Sequence, residues 1–250
     1  MSTGAGATPA EASKVASAEP VLAPLTIALP KGRSLKPVAR LLARAGVVST
    51  TSPLPLPEAL ADDSRALVRT ARFGDQPLEL LLLKPDDVPT YVEYGTADLG
   101  VCGRDVLVER EVDVYQPVDL GIARCRLVVA GRVGVDVASS HTGRMPRVAT
   151  KFPRTAAAHF ARRGVQVEIV DVHGSVELAP LLGLADVIVD LVETGTTLAE
   201  NGLEVKEEIS SVSSMLVANR ASYKLRSAAV APLLAALRAA LVAPPNASPA

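Results

Sequence analysis

Residues 187–198 read VIVDLVETGTTL, an apolar run that stops at acidic and hydroxyl-bearing residues. Valine and isoleucine favour strands, and the segment LAENGL that continues from Leu198 is rich in helix formers. The stretch therefore predicts a buried strand, a tight turn and a helix, which is the repeating unit of a parallel sheet. Ligands of such sheets gather at the carboxyl ends of strands, where Asp190, Glu193 and the TGTT turn are expected to lie.

The turn at 194–197 is suited to a phosphate group. Its glycine lets the backbone approach an anion closely, its threonine hydroxyls add donors, and the helix start presents N–H groups. Asp190 and Glu193 would repel a phosphate that they faced, but at the rim they can accept hydrogen bonds from sugar hydroxyls. This segment predicts a ribose 5-phosphate site, although an ordinary helix cap at Thr194 would have the same sequence.

A second polar cluster surrounds an earlier strand-to-helix junction. The segment LPKGRS places Lys31 and Arg33 on either side of a glycine, just before a helical pattern. Cations at a helix N-terminus oppose the helix dipole, so a bound polyphosphate would explain them. Arg65 and Lys84 add positive charge before and after strand-like segments. Each of the four is equally compatible with a solvated surface cation, and the phosphate-loop pattern GxxxxGK[ST] is absent.

The composition favours a layered α/β protein. Of the 250 residues, 48% are hydrophobic but only 3% are aromatic, with no Trp, so Val, Leu, Ile and Ala must build the core. The formal net charge of −1 at pH 7 argues against a protein that coats nucleic acid, which would be strongly basic. Any bound anion is therefore expected to be held by a local cluster.

Membrane, secretion and disulfide signals are missing from the sequence. No apolar run approaches the roughly 20 residues that span a bilayer, and the N-terminus lacks the charged and apolar regions of a signal peptide. Cys102 and Cys125 form neither a CxxC pair nor a disulfide framework, which fits a reducing compartment. We therefore expect a cytoplasmic protein that binds neither membrane nor nucleic acid, with disordered tails at 1–24 and 244–250.

Strand and helix patterns alternate along the chain in two clusters. LTIALP precedes a helical segment, and RVAT, VQVEIVDV and VIVDLV are separated by helical segments, which predicts parallel strands with covering helices. The clusters span 25–115 and 116–210, and residues 211–243 are expected to rejoin the first. Residues 49–64 are rich in turn formers and predict a long connection. A cleft between two such lobes is the default ligand site.

The longer motifs together resemble those of one enzyme family. LPKGRS, KPDDVPTYVEYGTADLGVCGRD, CRLVVAG, RVATKFPRTA, GSVELAPLLGLADVIVDLVETGTTLAENGL and SYK stand in the order and spacing of the ATP phosphoribosyltransferases, over roughly residues 25–225. The resemblance implies a two-lobed α/β fold like that of periplasmic binding proteins of type II, with the active site in the interlobe cleft. It also implies transfer of a phosphoribosyl group from 5-phosphoribosyl 1-pyrophosphate to N1 of ATP, which is the first step of histidine biosynthesis. Mg²⁺ is expected to be carried by the substrate phosphates.

Roles for individual residues follow from the same resemblance. Contacts to ATP phosphates and departing pyrophosphate, including the catalytic contacts, are assigned to Lys31, Arg33 and Arg65. An arginine is favoured because its guanidinium grips phosphate oxygens in a bidentate fork. Contacts to phosphoribosyl pyrophosphate are assigned to Asp190, Glu193, Thr194, Gly195, Thr196, Thr197 and Leu198. Contacts to ATP or to the cleft are assigned to Lys84, Gly174, Ser175 and Glu177.

The resemblance is to the short form of the family, because the chain ends after one helix and a Pro-rich tail. Short forms depend on a histidyl-tRNA-synthetase-like regulatory subunit, so the implied assembly is a homodimer within a hetero-oligomer. Many relatives have arginine where Lys84 stands, and lysine lacks the planar fork.

Several polar residues are expected to be structural. Asp87 is expected to cap the helix that follows it, and Asp98 and Asp105 are expected to have structural roles. The three histidines lack metal-ligand spacing, so no protein metal site is expected.

Two other functions stay open at this point. The same two-lobed architecture captures small solutes without chemistry, because a fold does not establish a function. The missing secretion signal and the two polar clusters argue against such a binding protein. A phosphoribosyltransferase for another base would fit the turn at 194–197 equally well, and only the choice of acceptor separates the two enzymes.

Overall fold

The computed structural model describes residues 22–61, 66–134 and 145–243, which form two lobes, each around its own sheet. The strands, in chain order, are β1 (Leu25–Pro30), β2 (Val47–Ser49), β3 (Val68–Phe73), β4 (Gln76–Leu83), β5 (Leu99–Gly103), β6 (Tyr115–Asp119), β7 (Cys125–Arg132), β8 (Arg147–Thr150), β9 (Glu168–Asp171), β10 (Val187–Val192), β11 (Leu203–Val212) and β12 (Ser214–Ala218). The helices are α1 (Leu35–Arg44), α2 (Leu56–Ala61), α3 (Val88–Glu93), α4 (Arg104–Arg110), α5 (Pro153–Arg162), α6 (Leu178–Leu181), α7 (Thr196–Glu200), α8 (Arg220–Leu225) and α9 (Ser227–Val242). Short 3-10 helices at Gly32–Ser34 and Pro85–Asp87 precede α1 and α3.

Lobe I contains a mixed sheet with the strand order β2-β3-β4-β1-β5-β12-β6. In its centre, β1 runs parallel to β4 and β5, whereas β12 runs antiparallel to β5 and β6. Neighbouring residues of one strand pack on opposite faces because the side chains of a strand alternate. Ile27 and Leu216 face the core that includes α1 and α9, whereas Ala28 and Val217 face the core that includes α3.

Helix α9 covers one face of this sheet. Its apolar residues Val230, Leu233, Leu234 and Leu237 recur at intervals of three and four and are buried. Burying one leucine side chain contributes about 1.5–3 kcal/mol. The last helix is therefore part of the core of lobe I.

Lobe II contains a smaller sheet with the order β11-β7-β10-β8-β9. Here β8, β9 and β10 are parallel, and β7 runs antiparallel to β10 and β11. Ile188 faces the core beneath α6 and α7, whereas Val187 and Val189 face the core beneath α5. Because β10 is buried on both faces, its sequence is continuously apolar until Asp190.

The chain crosses between the lobes twice. It leaves lobe I at 120–124, after β6, and returns at Ser213, between β11 and β12. The first crossing therefore lies after 119 rather than at 115–116, and the return lies later than the expected 210–211. The difference arises because YQPVD of β6 contains a proline and lacks a clear apolar alternation, yet pairs with β12 through Asp119 opposite Met215.

Some local expectations differ from the structure. The segment 49–64 was expected to be a connection, but it contains α2, which buries Leu56 and Leu60 in the core of lobe I. Asp87 does occupy the N-cap position of α3, as expected, but its side chain forms no cap hydrogen bond there. Of the expected tails, residues 1–21 and 244–250 lie outside the described part of the chain. Among the helices that the structure describes, none combines the length and apolar character needed to cross a bilayer.

Candidate active site

The carboxyl ends of the parallel strands in both lobes open onto one cleft. In lobe I, β1 and β4 end just before Lys31 and Lys84. In lobe II, β8 and β10 end just before Lys151 and Glu193. Two cavities at these strand ends are lined by residues from both lobes, so the strand ends lie opposite each other. Ligand sites of parallel sheets lie at this edge.

The first of these cavities, the turn cavity, has a volume of about 250 Å³. Arg33 of lobe I lines it together with Glu177 of lobe II. Its other lining residues are Asp190, Leu191, Val192, Glu193, Thr194, Gly195, Thr196, Thr197 and Leu198. The structure thus brings every residue assigned to phosphoribosyl pyrophosphate to one cavity and adds an arginine from the opposite lobe.

The turn itself is shaped by Gly195, which adopts a φ of 85° at the N-cap position of α7. The hydroxyl of Thr194 lies 3.0 Å from that of Thr196 and accepts a long hydrogen bond of 3.4 Å from the Thr196 N–H. The N-cap of α7 is therefore Gly195 and not Thr194, whose hydroxyl only accepts from the N–H two residues further on. The N–H groups of a first helical turn have no acceptor within the helix, so this turn offers donors to an anion.

Asp190 lies half-buried beside this turn. The N–H of Leu191 donates a hydrogen bond of 2.8 Å to its Oδ1, and Nζ of Lys151 lies 3.8 Å from the same oxygen. Burial raises the pKa of Asp190, the Lys151 ammonium lowers it, and the nearby Glu177 raises it. A half-buried carboxylate with free acceptor capacity can bind sugar hydroxyls.

The other predicted cations of lobe I are placed differently. The backbone N–H of Lys31 donates to Leu83 O at 2.7 Å, so Lys31 and Lys84 lie side by side at the ends of β1 and β4. Both are exposed, and neither lines the turn cavity. Arg65 lies outside the described residues, and its role stays a prediction.

Gly174 and Ser175 lie in the loop between β9 and α6 and are exposed. Ser175 has a φ of 48°, and neither residue lines the turn cavity. Glu177, two residues later, does line it. The structure therefore brings one of these three predicted cleft residues to the phosphate turn.

The second interlobe cavity, which we name the acidic cavity, has a volume of about 320 Å³. Its lining residues are Asp86, Asp105, Val106, Glu109, Arg110, Lys151, Phe152, Pro153, Asp171 and His173. Sequence reasoning expected Asp105 to be structural and did not single out Lys151. The missed signal is a cation directly after a strand and before a helix that starts at Pro153, which is the pattern used for Lys31.

A third cavity of about 380 Å³ lies where the chain crosses between the lobes. Asp119 joins the two crossings there, because its Oδ1 accepts hydrogen bonds from Ser213 Oγ at 2.7 Å and from the Gly121 N–H at 2.8 Å. Three arginines, Arg104, Arg124 and Arg126, also line this hinge cavity. Sequence reasoning did not single out any of them.

The cysteines are protonated, and two of the histidines, His159 and His173, are described by the structure, whereas His141 lies outside the described residues. Burial raises the pKa of both Cys102 and Cys125, which keeps these thiols protonated. His159 is buried 3.5 Å from a carboxylate oxygen of Glu207, and His173 is exposed. Within the described residues, no group of three or more His, Cys, Asp or Glu side chains is arranged to hold a metal ion.

Comparisons of the sequence with known proteins identify one family. The family model described as ATP phosphoribosyltransferase matches residues 84–239. An ATP phosphoribosyltransferase of Sorangium cellulosum is 58% identical over 217 residues, which cover 87% of this chain and 96% of that protein. An ATP phosphoribosyltransferase of Bordetella pertussis is 47% identical over 226 residues, which cover 88% of this chain and 97% of that protein.

Comparisons with solved structures agree with the fold. The ATP phosphoribosyl transferase (HisG:HisZ) complex from Thermotoga maritima superposes with a TM-score of 0.71 at 34% identity, covering 87% of this chain and 98% of that one. The periplasmic aliphatic sulphonate binding protein SsuA from Escherichia coli gives a TM-score of 0.53 at 13% identity, covering 87% of this chain and 72% of that one, which shows a shared fold alone. The predicted two-lobed fold of the periplasmic-binding-protein type is confirmed.

Proposed function

The chain belongs to the ATP phosphoribosyltransferase family, and from that premise we propose that it catalyses the first step of histidine biosynthesis. In this reaction N1 of the adenine of ATP displaces pyrophosphate from C1 of 5-phosphoribosyl 1-pyrophosphate. One observation carries the proposal: Arg33 of lobe I and the threonine-rich turn of lobe II line the same cavity. One ribose bound between the lobes could then place its 5-phosphate at the turn and its departing pyrophosphate near the arginine.

The turn of lobe II is proposed to hold the 5-phosphate of the ribose. Thr194, Gly195, Thr196, Thr197 and Leu198 supply hydroxyl and backbone N–H donors at the start of α7. Asp190 and Glu193, on the strand side of the turn, are proposed to accept hydrogen bonds from the ribose hydroxyls. This division keeps the anionic phosphate on the donor side of the cavity and the sugar on its acidic side.

Displacement at C1 passes through a state in which positive charge grows on the ribose and negative charge grows on pyrophosphate. Such a reaction depends on positioning and electrostatics rather than on a covalent nucleophile. Asp190 is suited to the positive charge, and Arg33, Arg65 and Lys31 are proposed to stabilise the departing pyrophosphate and the ATP phosphates. Lys84, Gly174, Ser175 and Glu177 are proposed to contact ATP or to shape the cleft.

Mg²⁺ is proposed to enter with the substrates. In such sites the ion is usually bound through one or two carboxylates and otherwise keeps phosphate and water ligands. Asp190 and Glu193 would be the carboxylates nearest to a magnesium ion bound to the ribosyl pyrophosphate. The ion would neutralise charge on the pyrophosphate as it leaves.

The protein is proposed to work in the cytoplasm as a homodimer within a hetero-oligomer. The Thermotoga maritima relative was solved as a HisG:HisZ complex, which supports a hetero-oligomer with a second kind of subunit. From the family resemblance, this subunit is proposed to be regulatory and to resemble histidyl-tRNA synthetase. Neither nucleic acid nor a membrane is proposed as a partner. Sizing the protein alone and mixed with such a subunit tests this assembly, and unchanged elution of the mixture would contradict it.

Pyrophosphate release is the direct test of the activity. The protein, alone and with the HisZ-like subunit, is incubated with ATP, 5-phosphoribosyl 1-pyrophosphate and Mg²⁺, and pyrophosphate is measured with time. Release that requires ATP supports the proposal, and release with another base or nucleotide instead would assign a different acceptor. Binding of the ribosyl pyrophosphate without any release would point to a solute-binding protein.

A further inference from the structure

Thr150 is a buried polar residue at the end of β8, where an apolar strand reaches the cleft. It is 0% exposed. Its hydroxyl group donates a hydrogen bond of 2.6 Å to the carbonyl oxygen of Val189, on the parallel neighbour β10. The same hydroxyl accepts a hydrogen bond of 2.9 Å from the N–H of Phe152. The side chain therefore both donates and accepts within the protein interior.

These contacts join segments that lead into the cleft. The residue of β10 that follows the bonded carbonyl is Asp190, the proposed ribose contact. Phe152 is the N-cap residue of α5, whose first N–H groups donate to Glu109 of lobe I. The backbone carbonyl of Thr150 also accepts a hydrogen bond of 3.0 Å from the N–H of Val172, just after β9. Thr150 therefore fixes the ends of three strands and the start of one helix relative to one another.

Packing alone does not explain a threonine at this position. Burying a hydroxyl group costs free energy unless it is hydrogen-bonded, so valine would suit a site that water cannot reach. Val148, two residues earlier on the same face of β8, is such a valine and is also 0% exposed. A bond from a threonine hydroxyl to an N–H two residues later is a common way to end a strand. That local motif does not account for the bond to Val189, which is 39 residues away.

We infer that Thr150 is a positioning residue for the transfer reaction, whose hydroxyl group holds the end of β10 so that the Asp190 carboxylate lies at the ribose subsite. Asp190 follows the bonded carbonyl directly, and its Oδ1 then accepts a hydrogen bond of 2.8 Å from the Leu191 N–H. A misplacement of about 1 Å in such a site can cost about a hundredfold in rate. Thr150 lines neither the turn cavity nor the acidic cavity, so it acts through Asp190 and the inference rests on the proposed function.

Three variants separate positioning from stability. Thr150→Val removes the hydroxyl group, Thr150→Ser keeps it, and Val148→Ala removes buried methyl groups from the same face of the same strand. Thr150→Val and Val148→Ala should both lower the midpoint of urea unfolding. At a temperature at which all variants are folded, kcat/KM for the ribosyl pyrophosphate should fall about tenfold in Thr150→Val, the size expected for one lost hydrogen bond. It should fall less than about twofold in Thr150→Ser and in Val148→Ala, which keep the hydroxyl group.

A second measurement does not depend on turnover. The Leu191 N–H is bonded to Asp190 Oδ1, so its amide exchange in the protein without substrates reports how firmly the Asp190 side chain is held. The amide of Ile188, in the buried part of β10, is the internal reference. Relative to this reference, exchange at Leu191 should be about tenfold faster in Thr150→Val and unchanged in Val148→Ala.

The outcomes are distinct. Wild-type kcat/KM in Thr150→Val, an equal loss in Val148→Ala, or an unchanged ratio of exchange rates overturns the inference. Absence of pyrophosphate release from the wild type would overturn the proposed function, and the exchange comparison would still decide whether the hydroxyl group holds Asp190. If Thr150→Val does not fold, Thr150→Cys, whose thiol is a weaker donor and acceptor, is compared with Thr150→Ser in its place.

Discussion

Gly195 provides the backbone conformation on which the phosphate turn depends. Its φ of 85° lies in the left-handed region, and a Cβ added there would meet only Val192 Cγ1 at 3.8 Å, an ordinary contact. Gly195→Ala should therefore fit sterically but cost about 1–2 kcal/mol of conformational energy. We expect lower affinity for the ribosyl pyrophosphate in calorimetry, because the strained turn can relax away from the phosphate.

Gly183→Ala is the matched control for this change. Gly183 also lies in lobe II with a φ of 73°, and nothing lies within 4 Å of its added Cβ. Both variants should lose similar unfolding free energy in urea, whereas only Gly195→Ala should bind substrate less tightly. Equal binding by the two variants would show that the phosphate does not use this turn.

Arg33 is the side chain through which lobe I reaches the phosphate turn. If it stabilises the departing pyrophosphate, Arg33→Ala should lower turnover about a hundredfold or more, as removal of comparable transition-state contacts does. The exposed Arg40 on α1 serves as control, and Arg40→Ala should leave turnover unchanged. Wild-type rates in Arg33→Ala would show that the leaving group lies elsewhere.

Asp190 is expected to lower stability at neutral pH. Burial raises its pKa in the folded protein, whereas in the unfolded chain an aspartate titrates near pH 4. The folded state therefore binds this proton more tightly, and stability is lost as the pH rises from the unfolded towards the folded pKa. Asp190→Asn should have a higher unfolding free energy than the wild type at pH 7 and an equal one near pH 3, while pyrophosphate release falls.

Urea unfolding at the two pH values measures this effect. Asp171→Asn, at an exposed acid of the same lobe, is the control and should leave the unfolding free energy unchanged at both. A wild type more stable than Asp190→Asn at pH 7 would contradict the expectation, because it would mean that ionised Asp190 stabilises the fold.

The candidate site was predictable where polar or charged residues stood at the end of a predicted strand. Acids and threonines at the end of an apolar strand located the turn, and two cations around a glycine located Arg33. Lys151 was missed because a lone lysine after RVAT is indistinguishable from a surface cation until β8 and β10 are known to be neighbours. Its position beside Asp190 depends on pairing between distant segments, which local patterns do not encode.

At the scale of elements, helix α5 of lobe II is tied to lobe I at its first turn. The carboxylate of Glu109, on α4, accepts hydrogen bonds from the N–H groups of Arg154 at 2.8 Å and Thr155 at 2.9 Å, and from the Thr155 hydroxyl at 2.7 Å. Arg154 also forms an ion pair with Glu111. A carboxylate at a helix N-terminus satisfies unpaired donors and the helix dipole. Here that carboxylate comes from the opposite lobe.

Glu109→Gln should weaken this connection. An amide has one acceptor oxygen and no charge, so we expect a loss of about 1 kcal/mol in unfolding free energy and faster amide exchange at Arg154 and Thr155. Glu208→Gln breaks the exposed pair with Arg126 inside lobe II, at 3.4 Å, and should cost little. Unchanged exchange at the start of α5 in Glu109→Gln would contradict the role of Glu109.

The elements that sequence predicted well are those with strong apolar patterns. The strands β1, β4 and β10 and the helices α1 and α9 carry such patterns and lie in the cores. The strand β6 and the helix α2 were missed or misplaced because prolines interrupt them, at Pro117 and near Pro55 and Pro57. The conformation of β6 depends on pairing with β12, and that of α2 depends on packing in lobe I. Neither conformation can be predicted from the local sequence alone.

At the scale of the whole molecule, both lobes should respond when substrate enters the cleft. Because Arg33 and the turn at 194–198 line one cavity, binding of the ribosyl pyrophosphate with Mg²⁺ should slow amide exchange in both Gly32–Ser34 and 194–198. Residues 233–237 of α9, buried in lobe I away from this cavity, should be unaffected.

The variant Arg33→Ala separates the responses of the two lobes. In this variant, binding of the ribosyl pyrophosphate should still slow amide exchange in the lobe II turn, but it should no longer slow exchange in Gly32–Ser34. Protection confined to lobe II in the wild type would mean that the lobes do not share the ligand.

The path of the chain also has a consequence for biosynthesis on the ribosome. Lobe II is a single continuous stretch inserted into lobe I, and β12, which separates β5 from β6 in the sheet of lobe I, follows that stretch. During translation, lobe II can therefore fold as soon as it leaves the exit tunnel, because domains generally fold as units. The N-terminal part of lobe I is synthesised earlier, and its strand β5 lacks its neighbour β12 during this time. This open sheet edge is exposed to mispairing or to chaperone binding until β12 emerges.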